Sequence, residues 1–276
     1  MARPIRKLPL GQQTDYINTY TPSLLCDIPR QEGRDKLSID AEKLPFHGVD
    51  IWNAYEISWL DSQGKPIVAV AEFQIPCSSP LIVESKSLKL YLNSYNQTRF
   101  NSKQEVLRTL ESDLSILVRA PVLVKVRSGS QFSNDVVGEF PGECIDNIDV
   151  EVDCYEVNPS CLALDANPVK CVESLYSHLL KSNCPVTNQP DWASVIIRYV
   201  GPRIDRASLL KYVISFRNHS EFHEQCVERM FTDILKYCKP EHLTVYARYV
   251  RRGGLDINPF RSNYEEPLPN LRLFRQ

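Results

Sequence analysis

The sequence contains no apolar run near the ~18 residues that a membrane-spanning helix needs; Ile67 to Ala71 is about its longest. It also has no excess of charge. Its 32 basic and 34 acidic residues leave a net charge of −2, which gives neither a nucleic-acid backbone nor an anionic membrane a reason to bind. Ten glycines are present, but none stand at the spacing of a G-x-G-x-x-G fingerprint, a Walker loop or a G-x-S-x-G elbow. A Rossmann crevice and a serine-hydrolase site are therefore excluded. No two of the nine cysteines form a Cys-x-x-Cys pair, so no zinc-ribbon spacing exists, and their odd, scattered positions read as reduced thiols of a cytoplasmic protein. Residues 1–7 carry Arg3, Arg6 and Lys7 with no hydrophobic stretch behind them, which is not the pattern of a secretory leader.

What is present is a globular chain of 276 residues, 43% hydrophobic, and at ~150 residues per domain it has room for two. It repeats itself. An offset of 121 carries Glu84 to Asp205, Leu88 to Leu209, Tyr91 to Tyr212, Ser94 to Ser215 and Tyr95 to Phe216. An offset of 120 then carries Leu107 to Val227, Leu110 to Met230 and Leu114 to Ile234. Each copy has one grammar: two strands, two helices, two strands. In the first copy the strands are 51–60 and 66–75, followed by helices at 85–95 and 103–117, then the alternating runs 122–126 and 145–155. In the second they are strands near 172–180 and 193–200, helices near 206–216 and 221–237, and the alternation Leu243, Val245, Ala247. The pattern predicts an α+β protein of two tandem units, each an antiparallel sheet with helices on one face. The Pro-containing stretch 158–168 reads as the linker.

Four segments carry possible chemistry. Glu84-Ser85-Lys86-Ser87-Leu88-Lys89 opens a helix and places two lysines on one face near the anion-attracting N-terminus; a solvated face with a capping serine is the plainer reading of the spacing. Cys184 lies in a proline-bracketed loop with Asp191 seven residues on, where a thiol is more accessible than in a core, or is an ordinary loop cysteine. In Glu221-Phe222-His223-Glu224, two carboxylates could accept from a planar, donor-rich ring edge, or could complement the helix dipole. Arg251-Arg252-Gly253-Gly254 follows a strand, where bare backbone and guanidinium groups suit phosphates, or a plain turn.

In this order the four segments resemble the NADPH-dependent 7-cyano-7-deazaguanine reductases, the nitrile reductases of queuosine biosynthesis, in their long two-module form. The resemblance spans essentially the whole chain. It implies two tunnelling-fold modules, 1–165 and 166–276, each a four-stranded antiparallel sheet with two helices on one face. It also implies reduction of 7-cyano-7-deazaguanine to the 7-aminomethyl product through a covalent thioimide. Cys184 would be the nucleophile and Asp191 the proton donor. Val83, Glu84, Ser85, His223 and Glu224 match the family's substrate contacts; Ser85, Lys86, Arg252 and Gly253 match its NADPH contacts, with no metal. Lys86, Lys89 and Arg251 are expected to add to phosphate binding. Because these residues come from both copies, the site is expected between modules or subunits, which favours a homodimer. Two other classes stay open: a zinc-dependent, GTP-cyclohydrolase-like enzyme of the same fold, and a non-catalytic purine- or pterin-binding module in which Cys184 is inert.

Overall fold

The computed structural model describes residues 15–132 and 136–276, so the reading of residues 1–7 lies outside the described residues. The chain forms two compact units whose segments interleave: 1–33, 50–136 and 251–257 in the first, 34–49, 137–250 and 258–276 in the second. The expected boundary at residue 165 thus falls inside the second unit. No helix among the described residues is long and apolar enough to cross a membrane.

The main elements follow the repeated grammar. The first copy has β1 (His47–Leu60), β2 (Pro66–Pro76), α1 (Ser85–Asn93), α2 (Lys103–Val118) and β3 (Leu123–Ser128). The second has β4 (Lys170–Ser177), β5 (Lys181–Asn183), β6 (Pro190–Pro202), α3 (Arg206–Ser215), α4 (His223–Cys238) and β7 (His242–Tyr249), and β8 (Leu255–Ser262) closes the series. Strands β1 and β8 each contribute residues to both units.

In the first unit the strand order is β3-β2-β1-β8, and one sheet face is apolar: Trp52, Ile57 and Trp59 on β1, Ala71 and Phe73 on β2, Val124 and Val126 on β3. That face is covered by Leu88, Tyr91, Leu92 and Tyr95 of the first helical segment and by the stripe Val106, Leu110, Leu114, Val118 of α2. The stripe has the i, i+4 spacing of one helix face, so α2 is held to the sheet by burial rather than by propensity. The expected strand at 145–155 does not form. Only Glu143 and Cys144 pair, with Leu175 and Tyr176 of β4, and Asp146 then spends its carboxylate on the Ser177 hydroxyl and the His178 N–H, which ends the ladder. The fourth strand of the first unit comes instead from residues 255–257, placed by Leu255 and Ile257 in its core. In the second unit the order is β8-β7-β6-β4, with β5 folded back on the start of β6.

The duplication is visible in hydrogen bonds that the two units make separately. Tyr91 donates to Asp113 at 2.6 Å, and Tyr212 to Asp233 at 2.7 Å. Ser87 and Ser208 each return their hydroxyl to the carbonyl of the residue capping their helix, Glu84 and Asp205. The Ser94 hydroxyl accepts from the Thr21 N–H, and that of Ser215 from the Asn158 N–H. Glu84 N–H bonds to the Cys26 carbonyl just as Asp205 N–H bonds to that of Ala163. Residues 158–163 are therefore not a linker. They are the second unit's copy of residues 21–26, and the weak apolar pattern of both stretches hid the match because backbone bonds hold them.

In the second unit, Glu228 of α4 is buried between two guanidinium groups, with Arg34 Nη2 at 2.8 Å and Arg261 Nη2 at 2.9 Å. Glu228→Ala would strand two buried cations and is expected to cost about 3–5 kcal/mol. Urea unfolding checks this; a loss below about 1 kcal/mol would show that water reaches the pair.

Candidate active site

The two halves of the expected site are built differently. In the first unit, Val83 ends a buried strand, Leu81–Val83, paired opposite Asp27. Glu84 is the N-cap of α1. Its two carboxylate oxygens accept from the N–H groups of Lys86 at 2.7 Å and Ser87 at 2.8 Å. The cap is thus a carboxylate rather than the serine that follows it. Burial pushes the Glu84 carboxyl above its ordinary value, and the two N–H bonds oppose that. Ser85 and Lys86 are half-buried at the start of the helix.

Arg252, Gly253, Gly254 and Leu255 form a two-residue hairpin between β7 and β8, with bonds from Arg252 N–H to Leu255 O at 2.8 Å and the reverse at 3.2 Å. Both glycines have positive φ, +58° and +80°, as a type I′ turn requires. A Cβ on Gly254 would lie 2.5 Å from Glu56 Cδ, so the position admits only glycine without a shift. Lys89 Nζ donates to the Gly253 carbonyl and pairs with Glu56 at 3.1 Å, while the Arg251 guanidinium lies 4.0 Å over the Tyr55 ring. The structure therefore brings Lys89, Arg251 and Gly253 into one unit, although 164 residues separate Lys89 from Gly253 in the sequence.

In the second unit, Cys184 begins the loop between β5 and β6. This loop is the counterpart of the tight turn 61–65: Cys184 N–H bonds to the Gln189 carbonyl at 2.9 Å, as Asp61 N–H bonds to that of Lys65. Asn188 takes the left-handed conformation that Gly64 takes in the first copy. Cys184 is only 6% exposed, which corrects the expectation of an accessible loop thiol. It stands at the first loop position, still against the end of β5, and the loop's own bonds draw it in. Asp191, the second residue of β6, is also buried and faces Ser182 across the hairpin. His223 Nε2 lies 3.3 Å from Asp191 Oδ2, and the His223 ring stacks on Tyr249 with centroids 3.8 Å apart and planes 6° from parallel. Glu224, the next residue of α4, is buried. Tyr249 had no sequence signal beyond being one apolar position in an alternating strand.

Glu221 is held by partners within its own unit. Arg229, two helical turns on, holds both its oxygens, at 2.7 and 3.0 Å, and His219 Nε2 lies at 2.8 Å. Burial would raise the Glu221 carboxyl, but these bonds prevail and bring it from 4.5 down to about 2. His219, Glu221 and Cys226 do place three metal-ligand atom types within 4.8 Å of one another. The donor set does not suit a metal, because the carboxylate is already matched by the guanidinium and burial pushes the Cys226 thiol far above its usual range.

Comparison with known proteins shows the family. Residues 16–126 match the family model described as the N-terminal part of nitrile reductase, 7-cyano-7-deazaguanine reductase, and residues 190–267 match the model of QueF-like proteins. The chain belongs to the QueF family of nitrile reductases, in a two-module form. Of the QueF site residues expected here, Val83 to Lys86 lie in the first match and Asp191, His223, Glu224, Arg252 and Gly253 in the second. Cys184 lies between the two. A crystal structure of an apo archaeosine synthase, itself QueF-like, is similar at 17% identity over 36% of this chain and 96% of that one, with a TM-score of 0.30.

Because the Glu221 carboxyl is lowered on folding, its pairing contributes stability that is present above its ordinary value of 4.5 and is lost as pH falls toward 2. Glu221→Gln should therefore flatten the acid limb of the unfolding curve in that window. Acid titration followed by circular dichroism measures it, and an unchanged limb would mean that the pair is not formed in solution.

Proposed function

We propose that this chain reduces 7-cyano-7-deazaguanine to 7-aminomethyl-7-deazaguanine with NADPH, through a thioimide on Cys184, in tRNA queuosine biosynthesis. Family membership supports nitrile reduction. The observation that supports the covalent route is a buried cysteine at the head of a hydrogen-bonded hairpin loop, followed on the next strand by a buried carboxylate paired with an imidazole.

In this reading the Cys184 thiolate forms a bond to the nitrile carbon as one C–N π bond opens, and Asp191 gives its proton to the nitrogen. The result is a neutral C=N group bonded to sulfur, with no net oxidation. Positioning and proton delivery are what the protein contributes to this step, and splitting a difficult reduction into stages is the general benefit of a covalent nucleophile. His223, beside Asp191, is placed to return a proton to it. Glu224 accepts from the ring's N–H edge, while Val83, Glu84 and Ser85 complete substrate contact; with both Glu84 oxygens on the helix start, its part is to fix that backbone. The cation-bearing hairpin fits a dinucleotide's phosphates: Lys86, Lys89, Arg251, Arg252 and Gly253 would hold it, and a phosphate oxygen can replace Glu56 on Lys89. When bound, NADPH supplies hydride, two equivalents for the four electrons between nitrile and amine. The reading carries with it two tunnelling-fold modules and a homodimer, which sedimentation tests.

Incubation with the nitrile alone should add one substrate mass, mapped by peptide mass spectrometry to Cys184. Cys184→Ala should abolish adduct and turnover, and Asp191→Asn should bind the nitrile yet lose about 10²–10⁴-fold in rate. An adduct on another cysteine, or activity in Cys184→Ala, would sink the mechanism. Lys86→Ala and Arg252→Ala should each raise the NADPH concentration needed for half-maximal rate, about tenfold, while adduct formation continues; the reverse pattern would reassign both residues.

A further inference from the structure

Gln276 is a buried polar side chain whose entire hydrogen-bonding capacity is spent within the second unit. Its Oε1 accepts from Arg248 Nε at 2.7 Å and from the Leu273 N–H at 3.1 Å. Its Nε2 donates to the Tyr249 carbonyl at 3.1 Å and to Asn258 Oδ1 at 2.8 Å. The same Asn258 oxygen accepts the Tyr249 N–H at 3.2 Å. One amide therefore grips the backbone of Tyr249 on its carbonyl side directly and on its N–H side through Asn258.

Tyr249 is the residue on which the His223 ring lies, and its strand neighbours carry the other half of the pair. Ala193 is registered opposite Tyr249, and Val250 N–H bonds to the Trp192 carbonyl at 2.8 Å. Asp191 is the preceding residue of that strand. The stretch of β7 that Gln276 grips thus supplies the floor beneath His223 and the ladder that ends beside Asp191. An imidazole stacked flat on a ring and 3.3 Å from a carboxylate keeps that geometry only while the ring stays still. Buried amides with every donor and acceptor satisfied specify one arrangement, because each alternative leaves a polar group unpaired.

We infer that Gln276 is a positioning residue for the Asp191–His223 pair, acting through Tyr249. This rests on the reading of Asp191 and His223 as active-site residues. The test is Gln276→Ala, studied alongside the isosteric Gln276→Glu, which turns a donor into an acceptor against the Tyr249 carbonyl. Thermal melting selects whichever variant is folded at the working temperature. In it, the His223 ring protons, observed by NMR in the protein without substrate, should shift as the Tyr249 ring current moves. Turnover should fall about tenfold with the dissociation constant for 7-cyano-7-deazaguanine within about twofold. A folded variant with unchanged His223 resonances would overturn the inference, as would an equal loss in affinity and rate. Failure of the unsubstituted chain to reduce the nitrile would overturn the functional reading instead, and the resonance comparison would still decide the role of Gln276.

Discussion

Buried carboxylates are the constraint that shapes the second unit. A carboxylate removed from water must be matched by charge and hydrogen bonds or it destabilises the fold. Two such groups bracket the start of α4: Glu221 is matched by Arg229 and His219, and Glu228 by Arg34 and Arg261. Each match needs a specific rotation of the helix, so the two together leave α4 one angle about its axis. That angle is what sets His223 flat on Tyr249 and against Asp191. The Asp191–His223 pair thus stands on a helix that is also anchored through Glu228 and Arg229, about one and a half turns further along.

The duplication shows how one scaffold can carry different chemistry at equivalent points. At the first helix start, Glu84 and Asp205 do the same structural work, each capping its helix with a carboxylate. At the first hairpin the copies diverge. The turn after β1 is short and closed by Gly64, whereas the corresponding loop after β5 is a residue longer, keeps the closing bond and holds Cys184 at its head.

The hairpin Gly253-Gly254 belongs by sequence to the second copy and by structure to the first unit. Strand β8 is long enough to serve both, with Leu255 and Ile257 facing the first unit's core and Asn258 and Arg261 bonded within the second. Its neighbour β1 behaves likewise. Gly48, at φ +151°, lies so close to the Phe260 carbonyl that a Cβ would come within 2.0 Å of it, so this near contact between backbones depends on a missing side chain.

Apolar periodicity by itself determined the α+β class, the duplication and the location of both helix pairs, since burial of one face writes its period directly into residue order. The stripe of α2 and the alternation of β3 and β7 are such cases. The motifs at Glu84, Cys184, His223 and Arg252 were legible because the family resemblance rests on residue identity. What the tertiary structure decided has no period to read. The boundary between units is interleaved because strands, unlike helices, can pair with partners from anywhere in the chain. The fourth strand of the first unit is 255–257 and not 145–155, since pairing depends on which edge is offered and where Asp146 ends the ladder. Residues 158–163 and Gln276 hold their places through backbone and amide hydrogen bonds, which leave no hydrophobic trace. The burial of Cys184 and the partnering of Glu221 were decided the same way, by neighbours brought close only once the chain had folded.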